Sequence, residues 1–175
     1  MKKLILYIAS SLNGKIARLD GSVEWLENIP NPEKTDHGYF EFYKSIDTTL
    51  QGYNTYKQIL DWGIDFPYKG TKNFVLTSKQ DLSPTKDIEF INHDHIEFVK
   101  NLKSQQGKDI WLIGGGKTNT ILFNAGLIDE IKLYIMPIVI PEGISIFESI
   151  PVEKHLKLLA SKTYSTGAVE LHYQL

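Results

Sequence analysis

Residues 109–119, DIWLIGGGKTN, set three consecutive glycines between an apolar run and a polar helix start. A turn of this kind brings bare backbone N–H groups up to an anion, and the positive end of the following helix adds to the attraction. The ending GGGKT imitates a nucleotide triphosphate loop, but that pattern needs a glycine five residues before Gly116, where the chain has Trp111. The dinucleotide fingerprint GxGxxG fails as well, because Gly114 and Gly116 are followed by Asn119 where a third glycine should stand. What remains is an apolar strand, a glycine turn and a helix, which suits phosphate or pyrophosphate. A side chain at Gly114, Gly115 or Gly116 would hold such a ligand away. A tight turn with no ligand is the competing reading.

The turn needs a scaffold, and the apolar pattern supplies one. Short runs bounded by turn residues recur at Leu4–Ala9, Thr48–Leu50, Asn73–Leu76, Ile88–Ile91, Ile110–Ile113 and Ile131–Met136. Runs without polar alternation suit strands buried on both faces. Between them lie helical patterns at 41–47, 54–62 and 94–103, the last with Asp94 and Glu97 in capping-box relation, and one from Lys117 to a stop near Gly126. This alternation predicts an α/β fold, a mostly parallel sheet with helices on both faces. Residues 156–164 and 168–173 predict a C-terminal antiparallel hairpin. In open parallel sheets ligands sit beyond the C-terminal strand ends. That rule selects SSLNG at 10–14, GYNTY at 52–56, TSK at 77–79 and GGGKT at 114–118.

One domain spanning 1–175 accounts for the length, since a chain of this size buries about 70% of its unfolded surface. A net charge of -2 gives no basic field for nucleic acid. With no cysteine, disulfides, thiolate metal sites and a cysteine nucleophile are excluded together, which fits a cytoplasmic protein. The start MKKLILYIASS resembles a secretory signal, but its apolar run Leu4–Ala9 is too short and reads as a first strand. No stretch reaches membrane-spanning length. His93 and His95 flank Asp94, and with no third ligand in the pattern a surface turn is expected rather than a metal site. Tyr39, Phe40, Phe42 and Tyr43 fit either core or pocket lining.

Four segments in order carry a family resemblance: SLNGKIA (11–17) with GSVEWL (21–26), DTTLQGYNTY (47–56), KNFVLTSK (72–79) and the long stretch from Asp109 to Phe147 containing AGLIDEIKLYIMPIVIPEG. Together they resemble the dihydrofolate reductase-like superfamily. Within it, the chain looks closest to the reductase domain of riboflavin-biosynthesis deaminase/reductases and its stand-alone relatives. The resemblance implies a reductase that moves hydride from NADPH to a small pyrimidine- or pteridine-type ring. It also implies a homodimer formed through the C-terminal strands.

Residue by residue, the resemblance puts Ile113, Gly114, Gly115, Gly116, Lys117 and Thr118 against the cofactor pyrophosphate, with a cis peptide joining the first two glycines. Gly52, Tyr53, Asn54 and Thr55 match a second phosphate turn, and Leu76, Thr77, Ser78 and Lys79 its neighbour. Tyr53 replaces the family arginine that pairs with the 2′-phosphate; lacking a bidentate cation, the site keeps NADH as a second choice. Lys79 would supply the cation or remain a solvated lysine. Ala9, Ser10, Ile16 and Ala17 match the nicotinamide wall, and Trp25 a pocket wall or ordinary core. Asn13, where the family usually has Asp, and Phe40 complete the substrate side. Asp36 falls where dihydrofolate reductases carry a buried pocket carboxylate, which implies the catalytic residue, one that hydrogen-bonds the ring and assists its protonation; capping the next helix is its other reading. Arg18 is the only arginine in the chain, so the arginines that hold the ribose phosphate in the riboflavin pathway are missing. Besides that pathway's ribosylaminopyrimidine reduction, a ligand-binding protein without turnover stays open.

Overall fold

A computed structural model describes all residues, 1–175. Eight strands form one sheet in the order β5-β4-β3-β6-β1-β7-β10-β9: β1 (Leu4–Ser11), β3 (Ile46–Gly52), β4 (Lys72–Leu76), β5 (Glu89–Ile91), β6 (Asp109–Gly114), β7 (Glu130–Met136), β9 (Lys157–Thr163) and β10 (Val169–Gln174). The six strands from β5 to β7 run parallel, and β10 is antiparallel to both β7 and β9. A separate ribbon pairs β2 (Lys15–Ala17) with β8 (Ile144–Ser145). This is the mostly parallel, doubly covered sheet with a C-terminal hairpin that the apolar runs predict.

The strand period of two decides which helix covers which face. Leu4, Leu6 and Ile8 of β1 join Leu50, Ile110 and Leu112 in a core with Val99 and Leu102 of α4 (His95–Ser104) and Leu122 and Phe123 of α5 (Gly116–Asn124). Ile5 points the other way and packs with Trp111, Phe42 of α2 (Tyr39–Ser45) and Ile59 of α3 (Tyr53–Asp61). Each fully buried aliphatic side chain contributes about 1.5–3 kcal/mol, and both faces are built this way, so β1 is tied into two cores at once. A third cluster joins Trp25, on the short helix α1 (Glu24–Glu27), to Tyr134, Met136, Ile140 and Ala168.

The helix after Tyr39 spans 39–45 rather than 41–47, because Ile46 and Asp47 extend β3 toward its N-terminal end. There the Asp47 carboxylate accepts from the buried Lys2 ammonium at 2.5 Å and from the Lys108 backbone N–H at 2.8 Å. The capping box at Asp94 is not formed: the residue is left-handed (φ 48°) and its side chain makes no cap bond. Its backbone carbonyl instead accepts the Phe98 N–H. The stop near Gly126 is formed as expected. Gly126 is left-handed (φ 67°), its N–H donates to the Phe123 carbonyl, and the Leu127 N–H donates to the Leu122 carbonyl, which satisfies the end of α5.

Candidate cofactor and ring-binding site

β3 and β6 are adjacent, with Gln51 opposite Gly114, so the turns that follow them lie side by side at the C-terminal edge of the sheet. α3 starts at Tyr53 after Gly52, α5 starts at Gly116 after Gly115, and neither has a side-chain cap. Two helix N-termini therefore point their unpaired N–H groups at the same edge. The peptide between Gly114 and Gly115 is cis, and Gly114 is left-handed (φ 116°).

The glycines also answer to neighbours inside the protein. A Cβ on Gly52 would run into the Thr118 side chain, and one on Gly116 would meet the Ser145 carbonyl and the Glu148 side chain. At Gly115 a Cβ would stand 3.2 Å from Thr55 Oγ1. Gly52, Thr55, Gly115 and Thr118 thus interlock two turns that lie more than fifty residues apart in sequence. Beside them, Leu76 and Thr77 are buried, the Lys79 N–H donates to Thr77 Oγ1 at 3.1 Å, and the Lys79 ammonium stands 4.2 Å above the Tyr53 ring. The Tyr53 ring is thus covered by a cation from the segment that follows β4. Tyr53, Asn54, Ser78, Lys79 and Lys117 remain accessible at this edge.

The other half of the edge is formed by β1 and the β2–β8 ribbon. Ser10 and Ala17 are buried, while Ala9, Ile16 and Ile113 are partly buried. Asn13 holds the loop after β1 in place. Its amide N–H donates to the Ile140 carbonyl at 2.8 Å, and its oxygen accepts from the Ile140 N–H at 3.1 Å and from Ser11 Oγ at 2.8 Å. An aspartate could accept both bonds but not donate the third, which gives the departure from Asp a structural reason.

Trp25 is 1% exposed and packs in the third core cluster. Phe40 is 59% exposed, with the Lys44 ammonium 4.3 Å over its ring, so it faces solvent. Asp36 is also on the surface. Its carboxylate accepts the Gly38 N–H at 2.9 Å and the Phe40 N–H at 3.0 Å, and these two backbone bonds hold its pKa below the usual carboxylate range. The expected buried pocket carboxylate is absent at this position; the residue caps α2 instead. His93 and His95 form no metal cluster. The His95 Nε2 stands 3.0 Å from the carbonyls of both Thr77 and Ile91, which ties α4 to the ends of β4 and β5. Arg18 lines a shallow cavity of about 430 Å³ with Leu19, Asp20, Pro141 and Glu142.

The face under α2 holds a group that the sequence pattern did not single out. Tyr7 stacks on Phe42 with ring centroids 4.1 Å apart and lies 4.9 Å from Tyr134, which in turn lies 6.2 Å from Tyr164. The Tyr164 hydroxyl donates to Glu170 Oε2 at 2.7 Å and stands 3.2 Å from the His37 carbonyl. Burial pushes the Tyr7 phenol up to about 12 and raises those of Tyr134 and Tyr164 too, so all three are neutral donors at physiological pH. Burial also lowers the pKa of His37, whose ring packs against Tyr164.

The sequence model of the RibD C-terminal domain family matches residues 2–169. This chain belongs to that family. Among RibD C-terminal domain relatives, the uncharacterized protein YwjB of Bacillus subtilis (strain 168) is 34% identical over 98% of this chain and 97% of its own. A provisionally named riboflavin biosynthesis protein from Shewanella sp. PV-4 superimposes with a TM-score of 0.88 at 24% identity, covering 98% of each chain. Dihydrofolate reductase from Enterococcus faecalis, solved with NADP(H), superimposes with a TM-score of 0.70 at 18% identity over 98% of this chain and 95% of that one. The fold is therefore dihydrofolate reductase-like. No helix is long and apolar enough to cross a membrane.

Proposed function

We propose that this protein is an NADPH-dependent reductase acting on a C=N or C=O group of a pyrimidine- or pteridine-type ring. The observation that carries the reading is the pair of uncapped helix N-termini, α3 and α5, brought together at Gly52 and Gly115. The residues fit a dinucleotide. The N–H groups at 53–55 and 116–118 would hold the pyrophosphate, and the Lys79 ammonium beside Tyr53 would meet a 2′-phosphate as a point charge. Because a lysine lacks the arginine fork, NADH is the second choice. When bound, the cofactor supplies hydride. Ala9, Ile16, Ala17 and Ile113 would wall the nicotinamide with small or aliphatic groups that keep water out, and the aromatic group around Tyr7 would lie along the ring substrate, with Trp25 packed behind it as core.

The riboflavin-pathway ribosylaminopyrimidine is a less suitable substrate for this chain. Its phosphate needs a cation, and Arg18, the only arginine, lines its cavity together with the carboxylates Asp20 and Glu142. Pairing of two copies along β9, exposed throughout its length, is part of the proposal, and sedimentation as a monomer at micromolar concentration would remove it. The activity is tested by following NADPH absorbance at 340 nm with a panel of oxidised pterins and amino-oxopyrimidines. Steady oxidation with one ring class supports a reductase. NADPH binding without turnover on any ring would instead favour a ligand-binding protein on this fold.

A further inference from the structure

Four side chains from three parts of the chain meet under the N-terminal end of α2: Tyr7 of β1, Tyr134 of β7, and, from one hairpin, Tyr164 just after β9 and Glu170 of β10. Glu170 and Tyr134 are register partners across β10 and β7. The Tyr134 ring lies between that of Tyr7, 4.9 Å away, and that of Tyr164, 6.2 Å away, and the Tyr164 hydroxyl donates to Glu170 Oε2 at 2.7 Å. Gly38 roofs the group. It is left-handed (φ 80°), and a Cβ there would lie 3.8 Å from the Tyr164 hydroxyl and 4.0 Å from that of Tyr134. Polar groups this deep among aromatic rings cost free energy unless they are fully paired. If each phenol donates toward Glu170, the oxygen of Tyr7 is left at the far end with its acceptor capacity unused.

The carboxylate expected on this side does not join the group, since Asp36 turns to the surface and caps α2. Glu170 reaches the same region from the opposite side. Tyr7 lies two residues before Ala9 on the same face of β1, in line with the wall assigned above to the nicotinamide. The walls are flat aromatic rings: Phe42 stacks on Tyr7, Tyr39 meets it edge-on, and Trp25 packs with Tyr134.

Resting on the reductase reading above, we infer that the Tyr7 and Tyr134 hydroxyls form the polar recognition edge for a neutral, planar amino-oxo ring. Tyr164 and Glu170 are positioning residues that orient Tyr134. The Glu170 carboxylate accepts from Tyr164, which leaves the Tyr164 oxygen to accept from Tyr134. The Tyr134 oxygen then accepts from a donor on its other side, Tyr7 or a ring N–H. Phenols in a group that ends on a carboxylate suit ring amide and amino groups. The other titratable groups around it are Asp36 and His37 on the approach to α2, Lys162 opposite Glu170 on β9 with its ammonium 4.7 Å over the Tyr164 ring, Lys132 opposite Tyr7 on β7 with its ammonium 5.7 Å from the Phe42 ring, and His172 opposite Lys132 on β10.

The test is equilibrium binding of 5,6-diaminouracil to the protein saturated with NADPH, with NADPH binding measured first on the same preparation. The wild type is expected to bind the ring, and Tyr134→Phe to weaken it about tenfold while leaving NADPH affinity unchanged and the melting temperature within about 2 °C. Tyr164→Phe is a second variant, and weakening in the same direction is expected. Glu170→Gln is expected to lower ring affinity in the wild-type background and to have no further effect once Tyr134 is Phe, a coupling that a merely structural Glu170 would not produce. If NADPH does not bind, the reductase reading itself falls. If NADPH binds but the ring does not, or if the phenylalanine variants bind it as well as the wild type, this inference is overturned and the reductase reading stands.

Discussion

Replacing Lys79 by Ala separates the two nicotinamide cofactors. The ammonium lies 4.2 Å over the Tyr53 ring, at the turn where the 2′-phosphate of NADPH would sit, and it is exposed. One unit charge pair at about 4 Å in water is worth about 1 kcal/mol. A phosphate carrying between one and two charges gains slightly more than that, less what is lost to salt. The loss on Lys79→Ala is therefore about five- to tenfold in NADPH affinity at low salt, shrinking as salt is raised. NADH has no 2′-phosphate, so its affinity should change by less than about twofold, the residue reflecting the freed Tyr53 face. Quenching of the three tryptophans on titration with each nucleotide reads both constants. Equal losses for NADPH and NADH would show that Lys79 acts through Tyr53 or through stability. No loss for either would show that the 2′-phosphate lies elsewhere.

Two further substitutions test local roles. Asp36→Asn is expected to leave NADPH binding unchanged and to lower the melting temperature by a few degrees near neutral pH. Because backbone donors depress the folded pKa of Asp36, its stabilisation is present above the unfolded carboxylate pKa of about 3.9 and is lost as pH falls through the folded value. The difference between variant and wild type should thus vanish in acid, and a difference that persisted below about pH 3 would refute the capping role. Asn13→Asp removes the donor to the Ile140 carbonyl and sets a carboxylate beside it, so a loss of about 1–2 kcal/mol in urea unfolding is expected. Unchanged stability would mean that this amide bond does not hold the β1–β2 loop.

Most of the sheet was legible because each parallel strand is a short apolar run closed by a turn signal, and the helix stop at Gly126 follows from its left-handed conformation. The β2–β8 ribbon was not, since two and three residues joined across more than one hundred positions leave no periodic trace. The GGG turn was readable from composition alone, but the reasons for Gly52 and Gly116 include contacts with Thr118 and Ser145 that only the packed turns reveal. Asp36 shows the limit on the other side. Its position in the chain fitted a pocket acid equally well, and only the turn through left-handed His37 and Gly38 sends the carboxylate outward to the helix end. The Tyr7, Tyr134, Tyr164 and Glu170 group draws on three distant segments, two of them runs that read simply as buried strand and the third the C-terminal hairpin.

The most direct measurement is the melting temperature of the purified protein with and without NADPH. At 100 times Kd a ligand bound only to the folded chain adds about 2.7 kcal/mol, which for a domain of this size raises the melting point by about 5–10 °C. The account predicts that rise with NADPH, a smaller one with equimolar NADH, and none for either when Gly115→Asp places a carboxylate where the pyrophosphate would lie. An unchanged melt of the wild type at millimolar NADPH would contradict the claim that the paired turns at Gly52 and Gly115 are a nucleotide site.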